Sequence, residues 1–507
     1  MRIEYLASSS QPRSEPPTRS KPATRLKNNH FNLRPKLTHL SEFTEPKSSN
    51  TKRICSDCVG ESYLKELIRT DGTKNLCSYC SGESPTLSLD KMGDIVERAF
   101  EDHYVRTAHE PCDLDFVTGN AQGWEREGEP AKWAILNAAN VSEEAAEDIH
   151  SMLTDRHADS ELFKMGDECP FGEDSHYAEK DAGNGDFLML WTNFVQGLKE
   201  QSRFFSPSAK SILDQIFAGI SDLRTTQNEP VVVTAGPGTE TLDLYRARVF
   251  ADEDDKLEEA LKAPWKLLGT PSADAAKAGR MNALGIAVFY GARDAETALK
   301  EVRPPVGSKV GLAAFRIIRP LRLLDLPALR SVAADGSIFD PATLLKMQRS
   351  NFLEELSQFM SRAVMPLKEV SEYLPTQAVA DYLANEAGLD GIIYPSVQNE
   401  QKPTNVVLFH YAARVEEVIL PNGTTVAAHL AREDSDGMWS DYRVWKLPPD
   451  TPQGDTSGTV SHSMKGLLHT LDEAADFRDP SLRIIFKTIE VRHINAVNFK
   501  VLSHKVT

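Results

Sequence analysis

Four of the six cysteines are spaced so that they can share one ion. Cys55-Ser-Asp-Cys58 and Cys77-Ser-Tyr-Cys80 are two close pairs separated by about eighteen residues, which falls within the range of zinc sites. A two-residue gap lets a tight turn bring two thiolates to ~2.3 Å from an ion, and two such turns complete a tetrahedron. Four thiolates leave no open position for water. The expected group is therefore a structural Zn2+ held by Cys55, Cys58, Cys77 and Cys80. An iron–sulfur cluster is the weaker fit, and a redox dithiol lacks a thioredoxin-like context. Cys112 and Cys169 stand alone and read as small buried hydrophobes.

A second group of reactive side chains is spread along the chain. Five short segments carry it: Leu244-Tyr-Arg-Ala-Arg248, Gly279-Arg-Met-Asn282, Phe289-Tyr-Gly-Ala292, Thr297-Ala-Leu-Lys-Glu301 and Tyr394-Pro-Ser396. Each has an ordinary explanation when taken singly. An Arg in a strand is usually a solvated face, a Glu late in a helix is usually soluble surface, and a Ser after Pro is usually a turn residue. Only the ordered set carries information.

Several kinds of element must position these residues. Residues 1–50 are basic (Arg13, Arg19, Lys21, Arg25, Lys27, Arg34, Lys36) and poor in aliphatics, so a disordered tail is expected. The cysteine pairs define a small knuckle over residues 51–85. Residues 86–228 look mostly helical. Met92, Ile95, Val96, Ala99, Phe100 and Tyr104 recur at helical spacing, Ser142 can cap a helix, and Ser206-Pro207 opens another. From about residue 229 strands and helices mix without strict βαβ alternation, which predicts an α+β domain over 229–420. Its expected strands are Val231–Val233, Leu242–Phe250, Gly285–Tyr290, Leu312–Leu324, Gly391–Tyr394 and Val406–Phe409. Pro341–Val364 should be one long helix, and Thr376 should cap another. Residues 421–507 form a C-terminal extension with no assigned role. Within it, 447–462 has linker composition and Ile484–Leu502 alternates like one or two strands.

Composition narrows the function. The hydrophobic fraction is 40% and the net charge −17. No apolar run approaches the ~20 residues a membrane helix needs, and no apolar stretch follows the N-terminal basic residues as in a secretory signal. A cytoplasmic protein is expected. The acidic balance disfavours general nucleic-acid binding, for which clustered cations are required.

The ordered Arg-Tyr-Glu-Ser set resembles the RES domain family over roughly residues 241–412. The match also takes in Pro375-Thr-Gln377, Asp390-Gly-Ile-Ile-Tyr-Pro-Ser396 and Asn405-Val-Val-Leu-Phe409. Met281 departs from the pattern, since many relatives carry Trp there, and residues 327–372 resemble an insertion. Residues 86–228 are similar, more loosely, to the HEPN-like domains that precede some RES domains. Arg106-Thr-Ala-His109 and Arg156-His157 lack the spacing of the HEPN nuclease motif, so a structural or regulatory role is expected there.

The resemblance implies an ADP-ribosyltransferase-like fold that takes NAD+ as its substrate. It implies a toxin or defence role with an antitoxin or other regulatory protein as partner. The expected activity is cleavage of the nicotinamide–ribose bond, by a glycohydrolase or a phosphorylase. Transfer of ADP-ribose to a protein or nucleotide, or silent NAD+ binding, are the alternatives. By this resemblance Arg246 and Arg280 contact phosphate or ribose, Tyr290 stacks, Glu301 is the catalytic carboxylate and Ser396 orients the substrate. Tyr245 and Tyr394 are lesser candidates. Glu296 lies on the same helix as Glu301, but five residues at ~100° each put the two about 140° apart. Periodicity cannot choose between them. The family's Ala-Leu-x-Glu-Val pattern, matched by Ala298–Val302, selects Glu301.

Overall fold

The computed structural model describes residues 52–109, 126–158, 169–203, 206–365, 368–396, 403–422, 424–434, 437–447, 476–498, 501 and 503–504. The basic tail, Cys112 and nearly all of the linker-like stretch 447–462 lie outside these residues.

The first elements gather around the cysteine pairs. Strands β1 (Arg53–Cys55), β2 (Thr73–Leu76) and β3 (Glu83–Ser88) form an antiparallel sheet of order β1-β3-β2, and helix α1 (Ser62–Asp71) bridges the two pairs. Helix α2 (Leu89–His103) buries Met92, Val96, Ala99 and Phe100, the stripe that helical spacing predicts. A second small sheet joins β4 (Tyr104–Arg106), β5 (Glu129–Pro130) and β6 (His176–Glu179). Helices α3 (Ala131–Ala139) and α4 (Glu143–His157) complete this core. Ser142 Oγ accepts the Ala145 N–H at 3.3 Å and caps α4, with Glu143 and Glu144 in its first turn.

Helices α5 (Phe187–Glu200) and α6 (Pro207–Ile216) follow, the second capped by Ser206 as expected. Sequence reading places both in the helical region ending at 228, but they pack elsewhere. Phe194, Leu198, Leu213 and Ile216 share a core with Phe352, Leu356, Val379, Leu383 and Ile392. Helical periodicity identifies the buried face of a helix but not the partner it meets.

The larger sheet takes β7 (Val232–Ala235), β8 (Asp243–Ala251), β9 (Phe289–Ala292), β10 (Lys309–Ile317), β11 (Leu321–Asp325), β12 (Gly391–Pro395) and β13 (Thr404–Leu408). An eighth strand, β16 (Leu482–His493), comes from the C-terminal region, giving the order β16-β10-β8-β9-β13-β12-β11-β7. Only β11 and β12 run parallel within it. This mixture of strand directions is the α+β arrangement that the sequence predicts. Strand β16 (Leu482–His493) pairs along nearly all of β10, so the C-terminal region is no mere extension of the sheet domain. Its alternating pattern is visible in the sequence, but its partner far upstream is not. The hairpin β14 (Thr425–Asp434) and β15 (Gly437–Leu447) was not foreseen.

Helices α7 (Asp254–Lys262), α8 (Pro264–Leu267), α9 (Ala295–Glu301), α10 (Pro341–Ser361) and α11 (Glu369–Asn385) pack around this sheet. Thr376 does not cap α11. The helix begins seven residues earlier with Pro375 inside it, and Thr376 Oγ1 donates to Arg280 O at 2.5 Å. The insertion-like stretch supplies α10. Just before that helix, Phe339 is fully buried in the N-terminal core, and Arg98 Nη2 donates to its carbonyl at 3.1 Å. Among the described residues no helix is long and apolar enough to cross a membrane.

Candidate active site and cysteine cluster

Four neighbouring strands of the larger sheet bring one row of residues side by side. Tyr245 on β8 is the register partner of Ala292 on β9, Ala292 of Asn405 on β13, and Asn405 of Tyr394 on β12. All four line a cavity of about 350 Å3, together with Arg246, Arg280, Tyr290, Glu301, Arg303, Ser361 and Tyr373. The small Ala292 leaves space in the middle of that row.

Glu301 ends α9, a short helix started by Asp294, whose Oδ1 accepts the Thr297 N–H at 2.8 Å. Its Oε1 accepts two hydrogen bonds, from Ser396 Oγ at 2.5 Å and from Asn405 Nδ2 at 2.8 Å. Both donors are 2% exposed, so they hold the carboxylate firmly. Glu296 faces solvent and pairs with Arg492 at 2.6 Å. The two glutamates thus lie on different sides of α9.

Arg246 occupies a gap in the sheet. The β8–β9 ladder consists of a single pair, and beyond it the Tyr290 carbonyl accepts from Arg246 Nη1 at 2.9 Å. Arg246 Nε is buried and without a partner. Burial, with Arg248 nearby, pulls its guanidinium down to about 10, so it stays charged at neutral pH. Arg280 donates from Nη1 to Met360 O at 3.1 Å, at the end of α10, and lies over the Tyr373 ring at 5.5 Å. The insertion therefore builds one wall of the cavity. Among the described residues, none of Arg246, Arg280 and Arg303 forms an ion pair with a carboxylate.

Tyr290 lines the cavity and also braces the Gly279–Asn282 turn. Its hydroxyl accepts the Met281 N–H at 3.0 Å and donates to Asn282 Oδ1 at 2.9 Å. A Cβ at position 279 would lie 2.8 Å from that hydroxyl, so the turn requires Gly279. Met281 is 2% exposed and fills the hydrophobic core at the departure from the family pattern. Burial, with Tyr290 and Glu301 close by, pushes the Tyr394 phenol well up and keeps it neutral. No hydrogen bond holds the Tyr394 hydroxyl among the described residues.

The residues singled out in the sequence thus converge. Arg246, Arg280, Tyr290, Glu301, Tyr245 and Tyr394 line one cavity, and Ser396 reaches it through its bond to Glu301. Sequence reasoning gave no role to Asn405, Arg303, Ser361 or Tyr373. An Asn inside the aliphatic run 405–409 was the available clue, because a polar side chain in a buried strand needs a partner.

The cysteine cluster lies in the N-terminal part of the fold. The four Sγ atoms of Cys55, Cys58, Cys77 and Cys80 lie within 4.8 Å of one another. Cys55 and Cys80 are 3.6 Å apart, and Cys58 and Cys77 3.8 Å. Tetrahedral bonds of ~2.3 Å put sulfurs about 3.8 Å apart, so the four residues fit zinc. Burial pushes the Cys77 thiol up, but backbone N–H groups at Tyr79 and Cys80 outweigh it and bring it to about 7. Tyr79 ties the cluster to α4 by donating to Asp148 Oδ2 at 2.9 Å.

Residues 244–430 match the RES domain family model. No curated protein matches the chain significantly. Among solved structures, the chain is similar to one described as the crystal structure of the M. tuberculosis MbcT-MbcA toxin-antitoxin complex. That likeness has 13% identity over 47% of this chain and 92% of the other, with a TM-score of 0.17. A superposition at that score does not define a shared fold.

Proposed function

We propose, from the match of residues 244–430 to the RES domain family model, that this protein consumes NAD+, cutting the nicotinamide–ribose bond beside Glu301. The observation that carries the reading is the charge pattern of the cavity. One carboxylate, fixed by Ser396 and Asn405, sits in a pocket whose other charged groups are arginines. That pattern suits a substrate with a cationic reacting centre and an anionic diphosphate.

The chemistry follows from the groups present. The bond between ribose C1′ and the pyridinium nitrogen breaks, and its electron pair leaves with nicotinamide, which becomes neutral. The ribose is left oxocarbenium-like, and the Glu301 carboxylate stabilises that developing charge. The two hydrogen bonds on Oε1 leave Oε2 to face the sugar. Asn405 Oδ1 is buried without a partner and can accept a ribose hydroxyl. Arg246 spends Nη1 on Tyr290 O, which leaves its Nε edge for a phosphate. Tyr290 and Tyr394 present rings to the nicotinamide. Ser396 acts through Glu301 and is a positioning residue. Water then adds to C1′ and loses a proton, giving ADP-ribose. Phosphate in place of water would make the enzyme a phosphorylase.

The family also favours a toxin or defence role, with an antitoxin-type protein as partner. The ADP-ribosyltransferase-like fold belongs to the same proposal, as does a structural zinc ion in the cysteine cluster. The helical N-terminal part is given a structural or regulatory role. Arg156 and His157 fit this, since both are engaged with Glu97, at 2.5 and 2.6 Å.

Purified protein incubated with NAD+ labelled in the ADP-ribose half tests the reading. Free nicotinamide with labelled ADP-ribose or its phosphate is expected. Label on protein or nucleotide would make the enzyme a transferase instead. Intact NAD+ would remove the catalytic reading and leave a binding module.

A further inference from the structure

The rim of the cavity holds a third arginine that the reading above does not use. Arg303 lies two residues beyond Glu301, just past the end of α9, and lines the cavity from its exposed side. Its backbone is left-handed, with φ of 44°, and its N–H closes the helix end on Lys300 O at 3.2 Å. Glycine is the residue most at ease in that conformation. Pro304 follows, so the helix cannot continue and the side chain is turned out at the rim. Tyr373 also lines the cavity, and its hydroxyl donates to Glu369 Oε1 at 3.2 Å. Arg280 lies over the Tyr373 ring at 5.5 Å, and Arg303 lines the same cavity.

The three arginines differ in depth. Arg246 and Arg280 are half-buried and tied to carbonyls, whereas Arg303 is exposed and has no ion pair among the described residues. A dinucleotide seated with its nicotinamide ribose at Glu301 would run outward past the exposed Arg303. Its first phosphate, one ribose away from the reacting carbon, meets the inner pair. Its second phosphate comes next along the chain, toward solvent.

We propose that Arg303 contacts the adenosine-side phosphate and so makes the pocket prefer a dinucleotide over a mononucleotide. This rests on the NAD+ reading above. A guanidinium suits the task because its fork can engage two phosphate oxygens at once.

Arg303→Gly is the decisive variant, because glycine relieves the left-handed backbone. Its melting temperature should equal or exceed that of the wild type. KM for NAD+ should rise on the order of 10- to 100-fold, the loss of a charge-assisted hydrogen bond, with kcat little changed. KM for nicotinamide mononucleotide, which lacks the second phosphate, should not move. Arg303→Lys should recover part of the loss. Calorimetric titration with ADP-ribose and with ribose 5-phosphate reads the same contact without turnover. Only ADP-ribose should bind more weakly to Arg303→Gly. An unchanged NAD+ KM and unchanged ADP-ribose affinity would overturn the proposal, as would equal losses for the one-phosphate compounds. If the wild type cleaves nothing, the catalytic reading fails, and the ADP-ribose titration still decides the role of Arg303.

Discussion

The cysteine cluster and the cavity around Glu301 assemble in opposite ways. Four sulfurs from residues 55–80 meet within 4.8 Å, each delivered by a turn or strand end of one small sheet. The cavity draws Arg246, Arg280, Tyr290, Glu301, Tyr394 and Asn405 from strands, a turn and a helix end between residues 246 and 405. The cysteines lie within one short stretch of chain, so an ion bound there would fold together with that stretch. The cavity depends on the larger sheet, and its polar groups are set by cross-strand register. One region should therefore answer to metal and the other to substrate.

The largest effect should come from the cluster, where structural zinc binding is worth roughly 10–16 kcal/mol in isolated fingers. Metal analysis should find about one zinc per chain, lost in Cys55→Ser and Cys77→Ser. Hydrogen exchange should then show lost protection over residues 55–80. With only residues 55–80 loosened, both variants should still turn over NAD+ as the wild type does, since the cavity residues pack in a different core. Retained zinc in both variants would end the zinc assignment. Collapse of turnover together with zinc would show that the two regions are not independent.

Next comes the carboxylate. Glu301→Gln keeps the shape but removes the charge, and turnover should fall by roughly 10²–10³, or about 3–4 kcal/mol. Thermal stability should barely change. Glu296→Gln loses only an exposed pair with Arg492, worth about 0.2–1 kcal/mol, and should turn over normally. Full activity in Glu301→Gln, measured at equal folded concentration, would mean that the site has been drawn in the wrong place.

The smallest effect is at Arg246. Lysine keeps the charge but cannot bond Tyr290 O and also offer a planar edge to phosphate. NAD+ affinity should fall on the order of tenfold, and stability by about 1 kcal/mol for the lost bond across the β8–β9 gap. Calorimetry and thermal melting check the two halves. Wild-type affinity with lowered stability would make Arg246 purely structural.

Much of this was legible in the residues themselves. The cysteine spacing pointed to the cluster because a short loop leaves two turns few other ways to present four sulfurs. The caps at Ser142 and Ser206 and the stripe on α2 were legible because they are local. The order Arg246, Arg280, Tyr290, Glu301 and Ser396 was recognisable as a family pattern.

Tertiary structure decided the rest. The sequence offered Ser396 as an orienting hydroxyl, and only the fold sets its Oγ against Glu301 Oε1. Asn405 gained its role only when β13 was set between β9 and β12. Sheet register joins residues distant in the chain, and no periodicity records which strands will pair. The same reason hid β16, whose partner β10 lies far upstream. Nor could the sequence show that Arg303 occupies a left-handed position, since an arginine there departs from local preference. Residue type and spacing determined what chemistry the chain could perform. Register and the meeting of distant elements determined which groups would stand together to perform it.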